Sequence, residues 1–403
     1  MSGTAMAERA RETDGQSAAA AQPSAGAKSV APSAPIRVQI HTSLDNLPAP
    51  VLDFFAAAGA GNFCFSLPWF RTILRTAGPR GDEPRLYVAE RGGVPVAALA
   101  VRERKAAGRL KAHMLLGPSH GLYALIYAPL LAGEGGMAGL RAIVAAIVRA
   151  APAFDVLRFD CLDRRSAEFA ALAAAFRRHG LLVRSFRNFD NAYEDVAGLT
   201  VEDYLARRSP RTRYFIGRHR RRLERSGRGR FALCQGGASL KAALVDYAIV
   251  DLLSWKAQEA YPDCVAELFD VAAAAGTLRL GLYYIDGEPA ATQVWFVSAG
   301  RATLWRMHYA RKFAALSVGN VLTLAMIRHL LHEDRVAELD FGAGEEAFKS
   351  KWLGGRRERA GLIVTNPWTS KGALASLWHM GGHAVAVPLR RLRRLGRRLI
   401  GGP

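Results

Sequence analysis

The pattern of apolar and polar residues along the chain switches repeatedly between strand and helix periods. Residues 86–103 alternate apolar and polar positions on both sides of Gly92-Gly93, and this pattern predicts a β-hairpin. Residues 139–151 and 166–180 instead repeat their apolar positions at helical spacing, and the second segment ends in a glycine, a typical helix stop. With the strand predicted between these helices, the segments form one unit of strands and helices.

A second unit with a similar order of elements begins near Asn188. A long helical pattern at 239–260 precedes three alternating segments between residues 277 and 309, where Asp286-Gly287 is an Asp-Gly pair typical of a tight hairpin turn. A further helix and strand complete this unit. Because the order of strand, helix, three-strand meander, helix and strand occurs about twice, the sequence predicts an α+β fold of two tandem halves.

The segment from Ser209 to Phe231 is rich in arginine and holds one acidic residue, Glu224. Ser209-Pro210 predicts a helix start, with the serine as cap and the proline as first helical residue, and Ser226-Gly227 predicts its end. Three residues spaced by four form a narrow apolar stripe: Phe215, His219 and Leu223. We therefore predict a helix that docks through this stripe with its arginines outward, rather than a free nucleic-acid-binding arm.

Composition narrows the partners that the chain is expected to have. It contains 55 Lys and Arg against 35 Asp and Glu, a net charge of +20, which favours nucleic acid, an anionic membrane face or phosphate-bearing ligands. Half of the residues are hydrophobic, as in globular proteins. Four cysteines lie far apart: Cys64, Cys161, Cys234 and Cys264. Their spacing argues against a disulfide scaffold or a metal site and suits a reducing cytosol.

Composition also divides the chain into segments. Residues 1–35 are rich in Ala, Ser, Pro and Gly, lack the apolar core of a signal peptide, and predict a disordered tail. The two tandem halves are assigned to residues 36–187 and 188–368. Residues 369–403 form a basic amphipathic tail, and no apolar run in the chain suits a membrane span.

The tail carries its apolar residues on one helical face: Leu389, Leu392, Leu395 and Leu399. Six arginines between residues 390 and 398 occupy the remaining positions. Helices of this type lie on anionic membrane surfaces, so we expect a protein of the cytoplasm that also binds the inner face of the membrane. A helix docked on its own domain and a disordered basic tail are the alternatives.

The junction between the predicted meander and the following helix is the first candidate site. A strand ends at Tyr309, a loop carries Arg311 and Lys312, and Ser317 and Gly319 introduce the helix. Free N–H groups and the positive end of the dipole at a helix start bind phosphates, and a glycine permits close approach of the ligand. Ordinary capping with two solvated cations is the alternative interpretation.

The second candidate site is the segment "LDFGAGEEAFKSKW", residues 339–352. Its strand ends in Asp340, whose carboxylate can act as a base or orient a nucleophile, although such residues also bond to the turn backbone. The spacing Gly342-Ala343-Gly344 lacks the third glycine of a dinucleotide fingerprint. His329, His332 and Glu333 share a helix, but without a third ligand nearby in sequence we predict no metal site.

Together these motifs resemble the acyltransferase family known through the cellulose-biosynthesis protein CelD, within the GNAT (Gcn5-related N-acetyltransferase) superfamily. The resemblance covers about residues 36–368, and residues 339–352 match the family's "DF-x-x-G-x-x-x-YK-x-x-W". The segment "YAPLLAGEGG" at 127–136 resembles the family's "Y-x-P-L" loop. One departure is Phe348, which stands where tyrosine is usual, so no phenol at this position can donate a proton. The family is similar to the Fem-type aminoacyl transferases, which have two GNAT-like halves.

The resemblance implies two tandem GNAT-like domains, each a mixed and mostly antiparallel sheet flanked by helices, and acetyl-CoA or another acyl-CoA as co-substrate without a metal. It implies that the following residues bind the acyl-CoA: Tyr309, Arg311, Lys312, Ser317, Val318, Gly319 and Asn320. It also implies three catalytic candidates: Asp340 and His308 as proton acceptors, and Lys349 as a cation that holds an anionic group. The acceptor cleft is assigned to Trp255, Gln293 and Trp305.

We therefore predict an acyl-CoA-dependent N- or O-acyltransferase of exopolysaccharide or cell-envelope metabolism, with a small-molecule, sugar or lipid acceptor. One alternative is a Fem-like transferase that uses aminoacyl-tRNA, which the basic surface favours. The other is a non-catalytic protein that binds RNA or membranes on a GNAT scaffold.

Overall fold

The computed structural model of the protein describes residues 34–78, 81–117, 125–343 and 348–381. One mixed sheet of thirteen strands runs through this part of the chain and is flanked by helices, which confirms the predicted α+β class. The strands are β1 (Ile36–His41), β2 (Glu83–Arg91), β3 (Val94–Ala107), β4 (Ala112–Leu116), β5 (Leu130–Leu131), β6 (Val156–Asp163), β7 (Leu182–Asp195), β8 (Gly229–Cys234), β9 (Leu278–Ile285), β10 (Glu288–Ser298), β11 (Arg301–Tyr309), β12 (Glu338–Ala343) and β13 (Gly355–Thr365). The α-helices are α1 (Ala49–Gly61), α2 (Leu67–Thr76), α3 (Gly136–Arg149), α4 (Ala167–Arg178), α5 (Val201–Ala206), α6 (Pro210–Ser226), α7 (Leu240–Leu252), α8 (Pro262–Ala274), α9 (Val318–His332), α10 (Lys349–Trp352) and α11 (Ser370–Ser376).

The strand order shows two halves with the same topology. It reads β1-β2-β3-β4-β6-β13-β7-β12-β11-β10-β9-β8, with β5 beside β3. Each half starts at an outer edge of the sheet, and its meander ends in one parallel pair, β4 with β6 or β11 with β12. The last strand of each half is inserted into the other half, because β13 lies between β6 and β7 while β7 lies between β12 and β13. The halves therefore share one sheet, and the predicted boundary between residues 187 and 188 lies inside β7.

The two hairpin turns predicted from glycine-containing pairs are confirmed. Gly92 and Gly93 have φ of 59° and 80°, and Asp286 and Gly287 have φ of 51° and 83°. Positive φ at both central positions matches the twist of the flanking strands in a two-residue hairpin. A capping box starts α5, since Thr200 accepts from the backbone of Asp203 and the Asp203 carboxylate accepts from Thr200 N–H.

The ends of α6 follow from its sequence as predicted. The Ser209 side chain accepts from Thr212 N–H at 3.2 Å, Pro210 is the first helical residue, and Gly227 ends the helix in a left-handed conformation with φ of 66°. Proline has no N–H to lose at the first position, and glycine carries no Cβ to strain the left-handed one.

The docked face of α6 differs from the predicted stripe. Ile216 and Leu223 are buried in the apolar cluster around α9, whereas Phe215 is 43% exposed. Seven residues correspond to about two helical turns, so Ile216 and Leu223 lie on one face. His219 is half-buried beside them. The apolar stripe that docks α6 therefore begins one residue later than predicted, at Ile216 instead of Phe215.

The predicted helix at 239–260 is shorter than expected. It ends at Leu252, and a new helix starts at Pro262, the first residue of α8. Proline fixes a φ suited to the first helical turn and removes the N–H that a continuing helix would need. Trp255 consequently lies in the connection between α7 and α8, which reaches the end of β11.

Both faces of the C-terminal half of the sheet are covered. Leu280 and Leu282 of β9 belong to the apolar cluster of α7 and α8, whereas Tyr283 and Ile285 belong to the cluster of α9. Because successive strand residues point to opposite faces, α7 and α9 pack on opposite sides of the sheet. The N-terminal half joins the first cluster through α2, which packs against α8.

Candidate functional site

The candidate site begins where two parallel strands separate. β11 and β12 pair only over Arg301–Thr303 and Glu338–Asp340. Beyond this point β12 turns toward β7, with Ala343 opposite Asn191, whereas β11 continues along β10 to Tyr309. The ladder between the two strands therefore ends here, although Gly342 still lies close to the Leu304 carbonyl, and we call the region between residues 305–309 of β11 and Ala343 at the end of β12 the C-terminal wedge.

A cavity of about 230 Å³ lies beside the end of β11 and the start of α9. It is lined by Trp255, Lys256, Met307, Tyr309, Ala314, Ser317, Val318, Gly319, Asn320 and Phe348. The structure thus brings together six of the residues that the sequence assigns to binding: Trp255, Tyr309, Ser317, Val318, Gly319 and Asn320.

The first turn of α9 presents open backbone donors to this cavity. Within the described parts of the chain, no group accepts a hydrogen bond from the N–H of Val318 or Gly319. A Cβ added to Gly319 would contact only Tyr309, at 3.5 Å, so this position faces open space. Two unbonded N–H groups at the positive end of a helix dipole form a site for an anion such as a phosphate.

Ser317 shapes this turn through its backbone. It has φ of 57°, and its carbonyl accepts from the N–H of Asn320 and Val321 at 3.0 and 3.1 Å. Its hydroxyl accepts from the Asn320 side chain at 2.9 Å and caps no backbone N–H. The side-chain oxygen Oδ1 of Asn320 in turn accepts from the Trp352 indole N–H at 3.3 Å. Ser317 and Asn320 are thereby tied to each other and to α10.

Gln293 holds the same turn from below instead of lining the cavity. Its side-chain amide donates to the Thr323 hydroxyl at 2.6 Å, and Thr323 donates to the Gly319 carbonyl at 2.8 Å. Trp295 completes the chain by donating to Gln293 at 3.0 Å. Gln293 is buried, and the structure places it beneath the first turn of α9 rather than in the cavity lining. Its role in substrate binding stays a prediction.

The two cations predicted for phosphate binding lie outside the cavity lining. Arg311 and Lys312 are exposed in a 3-10 helix that precedes α9. Lys312 pairs with Glu288 and lies over the Phe313 ring. The anion site therefore depends on backbone N–H groups rather than on these side chains.

His308 lies on the face of β11 opposite the cavity. Alternation along the strand points Met307 and Tyr309 into the cavity and His308 toward α7. Its Nδ1 is 2.9 Å from Asp251 Oδ1, although the two atoms are not aligned for a hydrogen bond. Burial, together with the nearby Lys256 ammonium, lowers the pKa of His308 to about 4, so the ring is neutral at pH 7.

Trp305 also lies away from the cavity. It is buried, stacks with the Arg306 guanidinium at 4.4 Å and packs against Phe296 at 5.6 Å between ring centres. Its predicted place in the acceptor cleft is therefore corrected to a place in the core. Trp255, in contrast, is half exposed at the cavity rim.

Asp340 is part of a buried ionic network at the base of the wedge. Its carboxylate pairs with Arg357 at 2.5 Å and accepts from Asn191 at 2.6 Å and Gly342 N–H at 2.7 Å. Burial alone would raise the pKa of Asp340, but the guanidinium groups of Arg357 and Arg359, together with the hydrogen bonds from Asn191 and Gly342 N–H, hold that pKa below its usual value. A carboxylate in this state is a weak base, and it does not line the cavity. The structure thus places Asp340 at the base of the wedge rather than in the cavity lining, and its role as proton acceptor stays a prediction.

Lys349 does not reach the cavity either. Its buried side chain donates to the Ala343 carbonyl at the end of β12. This bond ties the lysine to the end of β12. The neighbouring Phe348, which replaces the usual tyrosine, lines the cavity and stacks on Phe341 at 6.2 Å.

Sequence reasoning did not assign four of the lining residues: Lys256, Met307, Ala314 and Phe348. The sequence could have indicated Met307, because it lies two positions before Tyr309 on one strand and therefore shares its face. The same rule places His308 on the other face. No sequence feature indicated Lys256, because the predicted helix at 239–260 included it. Its ammonium donates to the Met307 carbonyl at 3.0 Å, which holds the connection over β11.

A second feature of this half is a row of residues along the outer face of α6. Tyr214, Arg218, Arg221 and Arg225 follow the helical period and lie opposite Ile216 and Leu223; we call them the arginine stripe. The stripe lines an open groove of about 880 Å³ together with Arg222 and Ser226. In the described part of the chain no carboxylate pairs with Arg218, Arg221, Arg222 or Arg225.

The described residues contain no group of three His, Cys, Asp or Glu side chains arranged to hold a metal ion. His329, which shares a helix with His332, lies 3.4 Å from Asp334. The same residues include no helix with the length and apolarity that a membrane span requires. The basic tail pattern from residue 385 onward and almost all of the predicted N-terminal tail lie outside the described residues.

Comparison with known proteins agrees with this geometry. A family model for an acetyltransferase (GNAT) domain matches residues 210–350, which lie in the C-terminal half. No curated protein matches the chain. The solved structure of FemX has 10% identity, covers 77% of this chain and 93% of its own, and has a TM-score of 0.56, which shows a common fold.

Two further solved structures are similar at lower scores. A tandem GNAT protein from the clavulanic acid biosynthesis pathway has 15% identity, covers 83% of this chain and 100% of its own, and has a TM-score of 0.48. The C-terminal domain of a putative lysylphosphatidylglycerol synthetase from Agrobacterium fabrum has 17% identity, covers 70% and 84%, and has a TM-score of 0.45.

Proposed function

We propose that the protein is an acyl-CoA-dependent N- or O-acyltransferase of the GNAT type, with its donor site in the C-terminal half. The observation that carries this proposal is the pair of open N–H groups, on Val318 and Gly319, beside the C-terminal wedge. The GNAT domain at residues 210–350 supports a transferase. Acetyl-CoA as the particular donor is part of the proposal.

The residues present fit an acyl-CoA. The two N–H groups would donate to oxygens of its pyrophosphate, and the missing side chain of Gly319 leaves room for them. The chain of bonds from Trp295 through Gln293 and Thr323 keeps this turn rigid, so little ordering is needed on binding. An acyl-CoA supplies the acyl group as a thioester: an amine or hydroxyl of the acceptor would attack its carbonyl carbon, the C–S bond would break, and coenzyme A would leave as the thiol after taking up a proton.

His308 remains the proposed proton acceptor. Its neutral ring lies on the other face of β11, beside Asp251, and burial raises the pKa of that carboxyl group. A proton released by the acceptor could pass to the His308 ring, whose charged form Asp251 would stabilise. We expect His308→Gln to lower kcat with little change in KM for acetyl-CoA, because the ring does not line the donor cavity.

Calorimetric titration with acetyl-CoA tests the donor site. Wild-type protein should bind, Gly319→Ala should bind nearly as well, and Gly319→Glu should bind about 100-fold more weakly or worse. A glutamate in the first turn suits the helix dipole, so the variant should fold while its carboxylate occupies the anion site. Circular dichroism melting of all three proteins checks that folding is retained. No binding by wild-type protein at millimolar acetyl-CoA would refute the proposal.

The resemblance to the CelD-like family supports a role in exopolysaccharide or cell-envelope metabolism, with a sugar, lipid or small-molecule acceptor. Mass spectrometry of acceptor pools incubated with acetyl-CoA and the enzyme would identify the acylated product. A protein that binds acetyl-CoA but acylates none of these pools would contradict the proposed metabolic role, while the proposed donor site would still stand.

A Fem-like use of aminoacyl-tRNA is the second candidate, and the arginine stripe favours it. Filter binding of tRNA at several salt concentrations would test it. Arg221→Gln with Arg225→Gln should reduce the slope of log affinity against log salt by about 2, since each phosphate contact contributes close to 1. Arg177→Gln with Arg178→Gln on α4 removes the same charge elsewhere and should not. Absence of tRNA binding at low salt would exclude this candidate.

A further inference from the structure

The end of the described chain carries an exposed apolar surface that the proposed function does not use. Four large side chains are between 51% and 79% exposed: Trp368, Leu374, Leu377 and Trp378. The last three are spaced by three and four residues and therefore share one helical face. We call these four residues the C-terminal apolar face. Most exposed apolar residues of a soluble surface are scattered singly, so such a group indicates a partner.

This face is held in place by the opposite side of α11. The Thr369 hydroxyl accepts from Gly372 N–H at 3.0 Å and donates to Asp155 at 2.6 Å. Ser376, one turn further on, is buried and donates to Thr365 of β13 at 2.7 Å. The helix is thus fixed to the sheet, and its apolar face is presented outward by an anchored element.

Cations surround the face. Trp368 packs over Gly180 just after α4, where a Cβ would lie 3.5 Å from the indole nitrogen. The last turn of α4 exposes Arg177 and Arg178, and in the described part of the chain no carboxylate pairs with either. On α11 itself, Lys371 is exposed. Aromatic, leucine and basic side chains therefore lie side by side.

The sequence continues the same character. From residue 366 to the C-terminus there are seven Lys and Arg and no Asp or Glu. The leucine and arginine residues of positions 389–399, outside the described residues, belong to this acid-free stretch. Exposed apolar side chains followed by a purely cationic segment complement a surface that is apolar inside and anionic outside.

We propose that the C-terminal apolar face docks on an anionic lipid membrane. Indole rings favour the interface between headgroups and acyl chains, leucines enter the acyl region, and arginines and lysine bind lipid phosphates. A nucleic acid would satisfy the cations but would leave Leu374 and Leu377 without an apolar partner. A lipid surface matches both the apolar and the cationic part of the face. The face itself lies apart from the proposed acyl-CoA cavity.

Co-sedimentation of the full-length protein with vesicles tests this docking. Vesicles of equal parts phosphatidylglycerol and phosphatidylcholine should retain the protein, and pure phosphatidylcholine vesicles should retain it less. Trp368→Ser with Trp378→Ser should weaken retention by about tenfold, because the transferred indole area is lost. The matched control is Tyr214→Ser with Leu252→Ser, two side chains of similar exposure elsewhere, which should retain wild-type binding.

Three results would overturn the proposal. The first is that wild-type protein stays in the supernatant with anionic vesicles at low salt. The second is that the tryptophan variant binds like wild type; a lowered melting temperature in that variant would show that residues 382–403 cover the face instead. The third is that the Tyr214 control loses binding, which would move the contact to the arginine stripe. Acetyl-CoA titration of the tryptophan variant should match wild type, so failure here is distinguishable from failure of the proposed function.

Discussion

The two halves of the sheet each end their meander in a parallel strand pair that leads toward a helix, and in the C-terminal half a cavity lies beside this junction. In the C-terminal half, residues 310–317 connect β11 to α9 in a short 3-10 helix and leave the first turn of α9 accessible. In the N-terminal half, residues 117–135 connect β4 to α3 by a much longer path. The described part of this longer connection, from residue 125, packs back onto the sheet.

Tyr127 is the residue that fills the N-terminal counterpart of the wedge. Its backbone N–H donates to Cys161 of β6 at 3.0 Å, its hydroxyl donates to Ala100 of β3 at 2.6 Å, and its ring stacks on Phe159 at 5.6 Å. Leu125 and Leu130 are buried on either side of it. The chain itself therefore occupies the space that stays open beyond β11.

The start of α3 is closed as well. A Cβ on Gly136 would lie 2.8 Å from the Leu131 Cβ, and one on Gly139 would lie 2.8 Å from the Ala97 Cβ. These glycines permit close packing of helix on sheet, whereas Gly319 faces open space. We therefore propose that the same topology serves stability in one half and ligand binding in the other, and that the connection before the helix decides which.

The largest effect that separates the halves is expected from Tyr127→Ala. Removing a buried aromatic ring should lower the free energy of unfolding by about 3–5 kcal/mol, because the wedge would lose its filling and leave a cavity. Acetyl-CoA affinity of the folded protein should stay unchanged. Urea unfolding and calorimetric titration measure the two quantities.

Tyr127→Phe is the matched control, since it keeps the ring and loses only the bond to Ala100, at a cost of about 1 kcal/mol. A large fall in acetyl-CoA affinity in Tyr127→Ala would contradict the division of roles. It would show that the two wedges are coupled through the strands that the halves exchange.

Local features of the fold were predictable because local chemistry specifies them. The pairs Gly92-Gly93 and Asp286-Gly287 predict tight turns, because few residue pairs adopt positive φ at both positions. Ser209-Pro210 and Gly227 mark the ends of α6 for similar reasons. The exchange of β7 and β13 carries no such signal, because strand partners are chosen by packing between segments far apart in sequence.

The candidate site was predictable to the same extent. The start of α9 follows from Ser317 and Gly319, because a strand, a short loop and a helix start are local features. The state of Asp340 depends on Arg357 and Asn191, and these partners could not be predicted because they come from strands that the sequence does not connect to it. The pairing of His308 with Asp251 was hidden likewise, since α7 and β11 are far apart in sequence.

The next effect concerns pH, because the N-terminal wedge is filled by a phenol while the C-terminal one adjoins a buried histidine. Burial lowers the pKa of His308 from 6.5 to about 4, so the unfolded chain takes up this proton more readily than the folded one. The neutral His308 ring therefore contributes roughly 3 kcal/mol to the free energy of unfolding. This contribution is fully present above pH 6.5 and is lost as the pH falls toward 4.

His308→Gln should therefore flatten the fall in unfolding free energy between pH 6.5 and 4, as measured by urea titration at each pH. The matched control is His332→Gln, which removes an exposed histidine at the end of α9. A slope that persists in His308→Gln would place the acid-sensitive group elsewhere and would remove the contrast between the two wedges.

The smallest effect compares one alanine substitution in each half. Gly139→Ala places a methyl group against Ala97 and Val96, whose own Cβ atoms cannot move without shifting β3. Overpacking of this kind costs about 1–3 kcal/mol, of which helix propensity returns up to about 1 kcal/mol. Gly319→Ala meets only Tyr309 at 3.5 Å, so propensity should prevail and the protein should gain a few tenths of a kcal/mol. Thermal melting of both variants measures the opposite signs, and the same sign in both would mean that the start of α9 is packed as tightly as that of α3.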